Sequence, residues 1–542
     1  MKKHNAIKVV LVTMLLFMLF TWLLPAASYS GEFYDQGRVQ MGLFDLFNYP
    51  LTALSYFGYI SLYIIAIGGF YGILYKIPAY RTLLDKISVS FAKRSKIVIP
   101  VIMLLIAVVI SICGLQLGFL LFFPFIASII LLMGYDKIVV ALTLVGSTMV
   151  GMAGTTYAYN NVSILNSYLS TNLDDNLGVK VIILLVGLCL LIFNTLMYMK
   201  KSNIVKKNVE KVEEKVTKIE TADEKEAKVV EEKVEVKKTA SSTRKSTSKS
   251  TSSKKSTSKK KSSKSSKNHN KAAVTDEEVI VVKNVGSKDD YLVPRGDSEK
   301  HTVLPIILSL LSLFVILILA FIPWQNAFST DVMVKATESV QNFEIFGFPI
   351  FAKLLGSFNT FGEWMITDMI VAMAVVVLVL SLIYKLKIDD IFDGFISGAK
   401  KAVAPAIITL FIYTILVIVT YHPFQLTIYK PILAMTDGFN VFTSTIVAVL
   451  TAIFNADPSY SFQAAVPYLT SLVSDTKVYP IVEVLFQSVY GFTMLFAPTS
   501  LVLMGTLSYL GVSYKEWLKA IWKLLVEFLV LLLIVFTILV ML

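Results

Sequence analysis

The sequence predicts an all-α polytopic membrane protein: an inverted-topology repeat with two re-entrant hairpins and two broken helices. Three observations predict it. Hydrophobic residues make up 55% of the 542 residues and charged residues 16%, with many apolar runs of crossing length. Two of those runs, about 137–170 and 478–512, are interrupted at 151–161 and 491–500 by Gly, Pro, Ser, Thr and Asn. Two further segments, about 97–133 and 438–474, are pairs of short apolar arms around a polar tip. Hydrocarbon tolerates freed backbone groups only where protein or a water-filled cavity satisfies them, so such interruptions mark the depth at which a site can form.

Composition excludes several classes. Cys113 and Cys189 lie in apolar runs and suggest neither a disulfide framework nor a metal site. His4, His269, His301 and His422 are scattered without zinc spacing. There is no phosphate loop and no nucleophile elbow, so neither an enzyme nor a nucleotide-driven pump is expected. The net charge of +12 belongs largely to 241–271, which carries ten Lys and one Arg with no acid.

In chain order, a basic start and an apolar run to about Leu24 read as a first span. Pro25-Ala-Ala-Ser28 could pass for a signal-peptidase site, but the run is long for a cleaved signal and more spans follow. Residues 26–50 hold one basic residue, Arg38, and are expected outside; a second span covers about 51–75. The amphipathic segment 76–97 carries Lys76, Arg81, Lys86, Lys93, Arg94 and Lys96, which places it on the cytoplasmic face. The arms 97–112 and 119–133, joined by Cys113-Gly-Leu-Gln-Leu-Gly118, read as a hairpin entering from the cytoplasm; two plain spans are the alternative. The first broken helix and a closing span at about 178–199 complete the first membrane half, 1–199.

Residues 200–300 are not membrane. Val209, Val212, Val216 and Ile219 form a brief helical seam. Residues 239–271 are low-complexity Ser, Thr and Lys, unable to bury a core and expected to be disordered. They read as a solvated tether, as attraction to anionic lipid, or as loose nucleic-acid contact. Arg295-Gly-Asp297 is a chance tripeptide. The basic loop keeps 200–300 and the N-terminus in the cytoplasm, with the chain in the cytoplasmic membrane.

The second half, 301–542, begins with a span at about 302–323 and an external stretch ending at Glu363. Spans at 364–384 and 402–422 follow, separated by an amphipathic 386–401. The second hairpin has its tip at Asn455-Ala-Asp-Pro-Ser-Tyr-Ser-Phe-Gln-Ala-Ala465, and the second broken helix and a last span at about 516–541 come after it. Both halves thus contain two spans, a hairpin, a broken span and a closing span, with the hairpins opening from opposite faces. That puts a binding site at the repeat interface near the midplane.

The polar supply there is Gln116, Thr155, Thr156, Asn160, Asn161, Ser459, Ser461, Gln463, Gln487, Thr493, Thr499 and Ser500. Half-helix N-termini suit a carboxylate, and freed carbonyls suit a cation. Two readings fit Gln487–Ser500: a ligand site, or a Pro498 kink whose hydroxyls bond back along their own helix. Asp457 at the second tip and Glu483, four residues before Gln487, are either intramembrane functional acids or interfacial ones. Asp45, Glu363 and Asp368 flank spans, and His422-Pro423 ends a helix. No intramembrane Arg or Lys is apparent.

These motifs resemble a known family. Thr21-Trp-Leu-Leu-Pro-Ala26, Gly68-Gly-Phe-Tyr-Gly72, Phe122-Phe-Pro124 with Gly134-Tyr-Asp136, Gly362-Glu-Trp364 and Phe395-Ile-Ser-Gly-Ala399 carry the likeness. The most specific pieces are Pro458-Ser-Tyr-Ser-Phe-Gln-Ala-Ala465 with Pro467, and Pro498-Thr-Ser500 with Met504 and Trp517. They are similar to YfcC-type carriers, grouped with the C4-dicarboxylate anaerobic carriers and basic amino-acid antiporters, and more distantly to the aminobenzoyl-glutamate and divalent-anion symporters. The resemblance spans both membrane halves and omits about 200–295. It implies a secondary transporter with an elevator motion, and it implies that Ser459, Ser461, Gln463, Thr499 and Ser500 line the site. The chain departs from the family where Leu117 and Gly118 replace two acids, at Tyr159-Asn-Asn161, and at Tyr460 and Phe462, which replace glycines.

The expectation is a carrier of a small amino acid or carboxylate, foremost a basic amino-acid antiporter or ion-coupled carrier. A zwitterion suits backbone amides with Asp457 or Glu483, and a C4-dicarboxylate carrier is the alternative. An alternative of another class is a non-transporting membrane scaffold with a polybasic recruitment loop. No cofactor is expected beyond a coupling Na+ or H+. Partners are a small-molecule substrate, the bilayer and, as in similar carriers, a second copy in a homodimer.

Overall fold

The computed structural model describes residues 5–202, 292, 302–356, 359–436 and 438–542. The 209–219 seam, the 239–271 tract and Arg295-Gly-Asp297 lie outside the described residues. The fold is all-α and polytopic. Among the described residues, eight helices are apolar and long enough to cross a membrane: Asn5–Leu23, Asp45–Leu74, Ser95–Cys113, Leu177–Ser202, Leu304–Phe321, Ile366–Tyr384, Ile388–Tyr421 and Tyr514–Met541. Two-stranded ribbons, Ala26–Ser30 with Glu32–Gly37 and Glu344–Ile345 with Phe348–Pro349, sit in segments read from sequence as plain loops.

The scaffold is one antiparallel helix pair. Asp45–Leu74 and Ile388–Tyr421 touch along their whole length, from Tyr49 beside His422, through the Phe57–Tyr413 ring stack, to Gly68 and Gly72 beside Gly398 and Gly394. Gly68-x-x-x-Gly72 faces Gly394-x-x-x-Gly398, and the backbones meet so closely that a Cβ on Gly398 would lie 2.0 Å from the Gly68 carbonyl oxygen. Small residues at this spacing let membrane helices approach to van der Waals contact of backbones. Ile388–Tyr421 is continuous over 34 residues, so the amphipathic 386–401 and the span 402–422 are one helix; Pro405 lies inside it without ending it. The repeat is also offset. Asn5–Leu23 and Asp45–Leu74 match Ile366–Tyr384 and Ile388–Tyr421 in order and length class, which leaves Leu304–Phe321 as an addition to the second half.

Both hairpins form. In the first, Ser95–Cys113 ends at Gly114, whose φ of +65° only glycine adopts freely, and the chain returns through a 3-10 turn, Gly118–Phe122, and Phe123–Leu132. Its two ends meet where Tyr135 donates to the Ser95 hydroxyl at 2.7 Å. The first arm is as long as a span, but the tip lies against the break in the first broken helix, where the Ser111 carbonyl accepts from the Thr156 amide. That helix runs another eleven residues, Tyr159–Leu169, about 16 Å, beyond this level, so the segment is re-entrant. The second hairpin is Val441–Phe454 and Pro458–Leu472, with Pro458 at the first helical turn of the returning arm.

Both broken helices are broken. The first runs Lys137–Ala141, a π turn Leu142–Gly146 and Ser147–Ala153, opens over 154–158, and resumes as Tyr159–Leu169. The second runs Tyr479–Met494, opens over 495–500 and resumes as Leu501–Leu510. The helix therefore continues through Gly491, which belongs to a close contact: a Cβ there would stand 2.3 Å from the Ala153 amide nitrogen of the other half. The two halves interlock, since Pro458–Leu472 packs on Tyr159–Leu169 and Tyr479–Met494 packs on Ser147–Ala153.

We expect Gly398→Val to abolish a monodisperse carrier peak in detergent size-exclusion chromatography, and Gly178→Ala, which has open space around it, to leave the peak unchanged. Recovery of folded Gly398→Val would refute the backbone contact.

Candidate functional site

At the first break the freed backbone is taken up by side chains of other elements. Ser111, on the first hairpin, donates to the Gly154 carbonyl at 2.5 Å and lies 3.2 Å from the Thr156 hydroxyl. The Thr156 hydroxyl in turn donates to the Ser111 carbonyl at 3.2 Å. Thr155 donates to the Met152 carbonyl at 2.7 Å. Gln487 reaches across from the second half, donating to that same carbonyl at 2.8 Å and to the Thr155 hydroxyl at 2.9 Å. Gln116 at the hairpin tip donates to the Asn161 side-chain carbonyl at 3.4 Å.

The second break uses a different set. Trp517 donates through its indole to the Leu495 carbonyl at 2.8 Å, and Tyr514 donates to the Phe496 carbonyl. Thr499 donates to the Ile453 carbonyl at 2.8 Å, closing the end of the hairpin's first arm. Tyr490 donates to Ala456 in the tip at 2.9 Å. Asp457 caps the returning arm, accepting from the Ser459 amide at 2.9 Å.

The sequence-predicted residues separate into three groups. Thr155, Thr156, Gln487 and Thr499 are buried and hold the breaks. Asn161, Ser461, Thr493 and Ser500 are buried with a side-chain polar atom left without a partner, and the Gln116 and Gln487 carbonyl oxygens share that condition. Buried orphans of this kind are rare in finished cores and call for a ligand, water or ion. Asn160 and Gln463 are exposed, and Ser459 is half-buried. Gln463 faces a cavity of about 360 Å³ that is also lined by Ser28, Tyr29, Gln425, Asn455 and Tyr460. At its wall Gln425 and Asn455 exchange amide hydrogen bonds, both at 3.3 Å.

Asp457 is half-buried. It acts electrostatically on four phenols, those of Tyr59, Tyr413, Tyr460 and Tyr490. Tyr460 and Thr420 line both the 360 Å³ cavity and a second of about 300 Å³ with Tyr56, Phe57 and Tyr421, so the two adjoin. Glu483 is fully buried, and the structure supplies a partner that sequence reasoning missed. Lys180, 3% exposed, brings its ammonium to 3.1 Å from Oε1. The ammonium also donates to the Leu173 carbonyl at 2.9 Å, and Glu483 Oε2 has no hydrogen-bond partner. This buried cation is not singled out in the sequence, where no intramembrane Arg or Lys is apparent. Lys180 sits at the edge of the closing span, where a lysine reads as a flank.

A family model described as DcuC, C4-dicarboxylate anaerobic carrier, matches residues 52–246 and 298–542. The chain belongs to this family of carriers. The match runs further into the insert than the resemblance did, leaving out 247–297. The chain is therefore a membrane transporter and not an enzyme. No curated protein gives a significant match. Among solved structures it is similar to the Alcanivorax borkumensis YdaH transporter, at 13% identity and a TM-score of 0.39, with 98% of each chain covered.

Ser111→Ala should leave the Gly154 carbonyl without its donor and lower stability by about 1–3 kcal/mol, seen as a fall in melting temperature in detergent. Ser167→Ala, at an exposed hydroxyl bonded within its own helix, should change nothing. An unaltered melting temperature for Ser111→Ala would show that the break does not depend on the hairpin.

Proposed function

We propose that this carrier moves a small amino acid with a cationic group, by exchange or by co-transport with a cation, through an elevator motion of hairpins and broken helices against the scaffold pair. The observation that carries the reading is Asp457, an acid at a hairpin tip that acts electrostatically on the phenols of Tyr59, Tyr413, Tyr460 and Tyr490, of which Tyr460 lines both cavities. An aromatic surround with one carboxylate suits an ammonium or guanidinium group. The substrate carboxylate would take the orphaned Asn161, Ser461 and Ser500 at the starts of the half-helices Tyr159–Leu169, Pro458–Leu472 and Leu501–Leu510.

The family description favours a C4-dicarboxylate as the second reading. A dianion brings two negative charges, and the buried Lys180 is already neutralised by Glu483. Such a substrate would need a co-bound cation to offset its desolvation. In the proposed orientation the N-terminus and 200–300 face the cytoplasm from the cytoplasmic membrane, and 239–271 serves as a tether with attraction to anionic lipid.

Asp457→Asn is expected to cut arginine uptake into proteoliposomes by at least about tenfold while sparing a neutral amino acid. Unchanged arginine uptake would end this reading, and saturable succinate uptake indifferent to arginine would install the dicarboxylate one. Deleting 205–295 should keep uptake; loss of uptake in a well-folded deletion would give the insert a part in transport.

A further inference from the structure

We propose that Glu483 and Lys180 form the carrier's proton-binding site, in which the Glu483 carboxylate takes up and releases one proton per cycle. The inference is independent of which substrate is carried. It rests on placement. The pair is buried, 3% exposed at Lys180 and 0% at Glu483, and it joins the closing span Leu177–Ser202 of the first half to the broken helix Tyr479–Met494 of the second. Glu483 Oε2 has no partner, so a proton has a free oxygen to bind without displacing the lysine.

A polar loop borders the pair on one side, and a polar side chain continues from it on the other. The Lys180 ammonium is anchored to Leu173 in the loop that also carries Asp174 and Asp175, and Asp175 acts on Glu483 electrostatically. Inward, Gln487 lies one helical turn from Glu483 on the same face. It donates to Thr155 and the Met152 carbonyl at the first break while its own carbonyl oxygen is unpaired. Proton uptake forms one O–H bond at Glu483 and breaks none between heavy atoms. It removes the attraction that ties the second broken helix to the closing span and leaves the positive charge on Lys180. The helix that then loosens is the one whose Gln487 holds the opposite break, so proton binding and the site geometry are mechanically joined.

The elements around the pair carry other charged and titratable groups. Lys477 precedes the helix of Glu483 in its 3-10 turn. Ser147–Ala153 and Val441–Phe454 carry none, Tyr159–Leu169 carries Tyr159 and Tyr168, and Pro458–Leu472 carries Tyr460 and Tyr468. Tyr479 and Tyr490 share the helix of Glu483. In Tyr514–Met541 the charges are Lys515, Glu516, Lys519, Lys523 and Glu527, and Glu527 is engaged by Asn194 at 2.6 Å. The one cation within ion-pair distance of Glu483 among the described residues is Lys180.

The test uses the full chain reconstituted in lipid without substrate. Infrared difference spectra across a pH titration should show one carboxyl C=O band that disappears in Glu483→Gln and persists in Asp457→Asn. In Lys180→Met the band should titrate at higher pH, because losing the ammonium favours the protonated acid. Should Glu483→Gln fold poorly, the neutral pair Lys180→Met/Glu483→Gln replaces a buried ion pair as a unit and is expected to fold. It should lack the band and lose accumulation driven by a pH gradient, with arginine and succinate as probe substrates, by at least tenfold. A band retained in folded Glu483→Gln, no shift in Lys180→Met, or pH-driven accumulation retained in the double variant would each overturn the proposal.

Discussion

The structure depends on the rule that backbone hydrogen-bonding groups at membrane depth must find partners inside the protein. Two hairpin tips and two helix breaks expose more free carbonyls and amides than the rest of the membrane core. Here those groups are met by side chains from neighbouring elements: Ser111 on the Gly154 carbonyl, Gln487 on Met152, Trp517 on Leu495, Tyr490 on Ala456 and Thr499 on Ile453. In hydrocarbon an unmet group costs several kcal/mol, so each of these donors is needed where it stands. Several buried side-chain oxygens and nitrogens near the breaks, among them those of Asn161, Ser461, Thr493 and Ser500, are left without a partner.

That arrangement divides the molecule into a tight part and a loose part. Where Asp45–Leu74 meets Ile388–Tyr421, glycine lets backbones touch, and no side chain of any size fits between Gly68 and Gly398. Where this pair meets the first hairpin and Leu501–Leu510, a cavity of about 60 Å³ is lined by Ile64, Ile67, Leu120, Phe123, Leu501 and Tyr509. An interface of apolar side chains with spare volume carries few directional bonds to break. It is the kind of surface along which the elevator motion of the proposed mechanism can slide, while the glycine-packed pair cannot part without losing its whole contact.

The interruptions were legible in the sequence because they are local. Gly114 and Pro458 dictate backbone geometry at their own positions, and Gly or Pro inside an apolar run has few other meanings. The hairpins and both breaks therefore formed where expected, within a few residues. The misses are non-local. The amphipathic 386–401 and the span 402–422 read as separate segments, yet Ile388–Tyr421 runs through both as one helix packed on its partner, with Pro405 inside it. Glu483 reads as either a functional acid or an interfacial one, and its partner Lys180 goes unseen because it lies some three hundred residues earlier in the chain and no periodicity connects them. Asn160 and Asn161 read alike, and only the helix phase after the break exposes one and buries the other. Thr156 and Gln487 lie at the first break, and whether a polar side chain there binds a ligand or a backbone carbonyl is decided by its neighbours.

The departures from the family pattern now have physical reasons. At the first tip stands Gly118, where the resemblance implies an acid. A Cβ there would stand 2.8 Å from Leu317, and the Gly118 carbonyl accepts from Tyr63 at 2.8 Å. Leu317 belongs to Leu304–Phe321, the helix outside the repeat, which also sets Phe314 edge-on to Phe122 of the same hairpin at 5.6 Å. The added helix fills the space a side chain at position 118 would need. At the second tip Phe462 replaces a glycine, and its ring meets Tyr490 edge-on at 5.9 Å, bracing the phenol that donates to Ala456. The first tip has thus become a packed, uncharged wedge and the second a braced one that keeps Asp457. The charge handling proposed above falls on Asp457 and the Lys180–Glu483 pair, neither of which has a charged counterpart at the first tip.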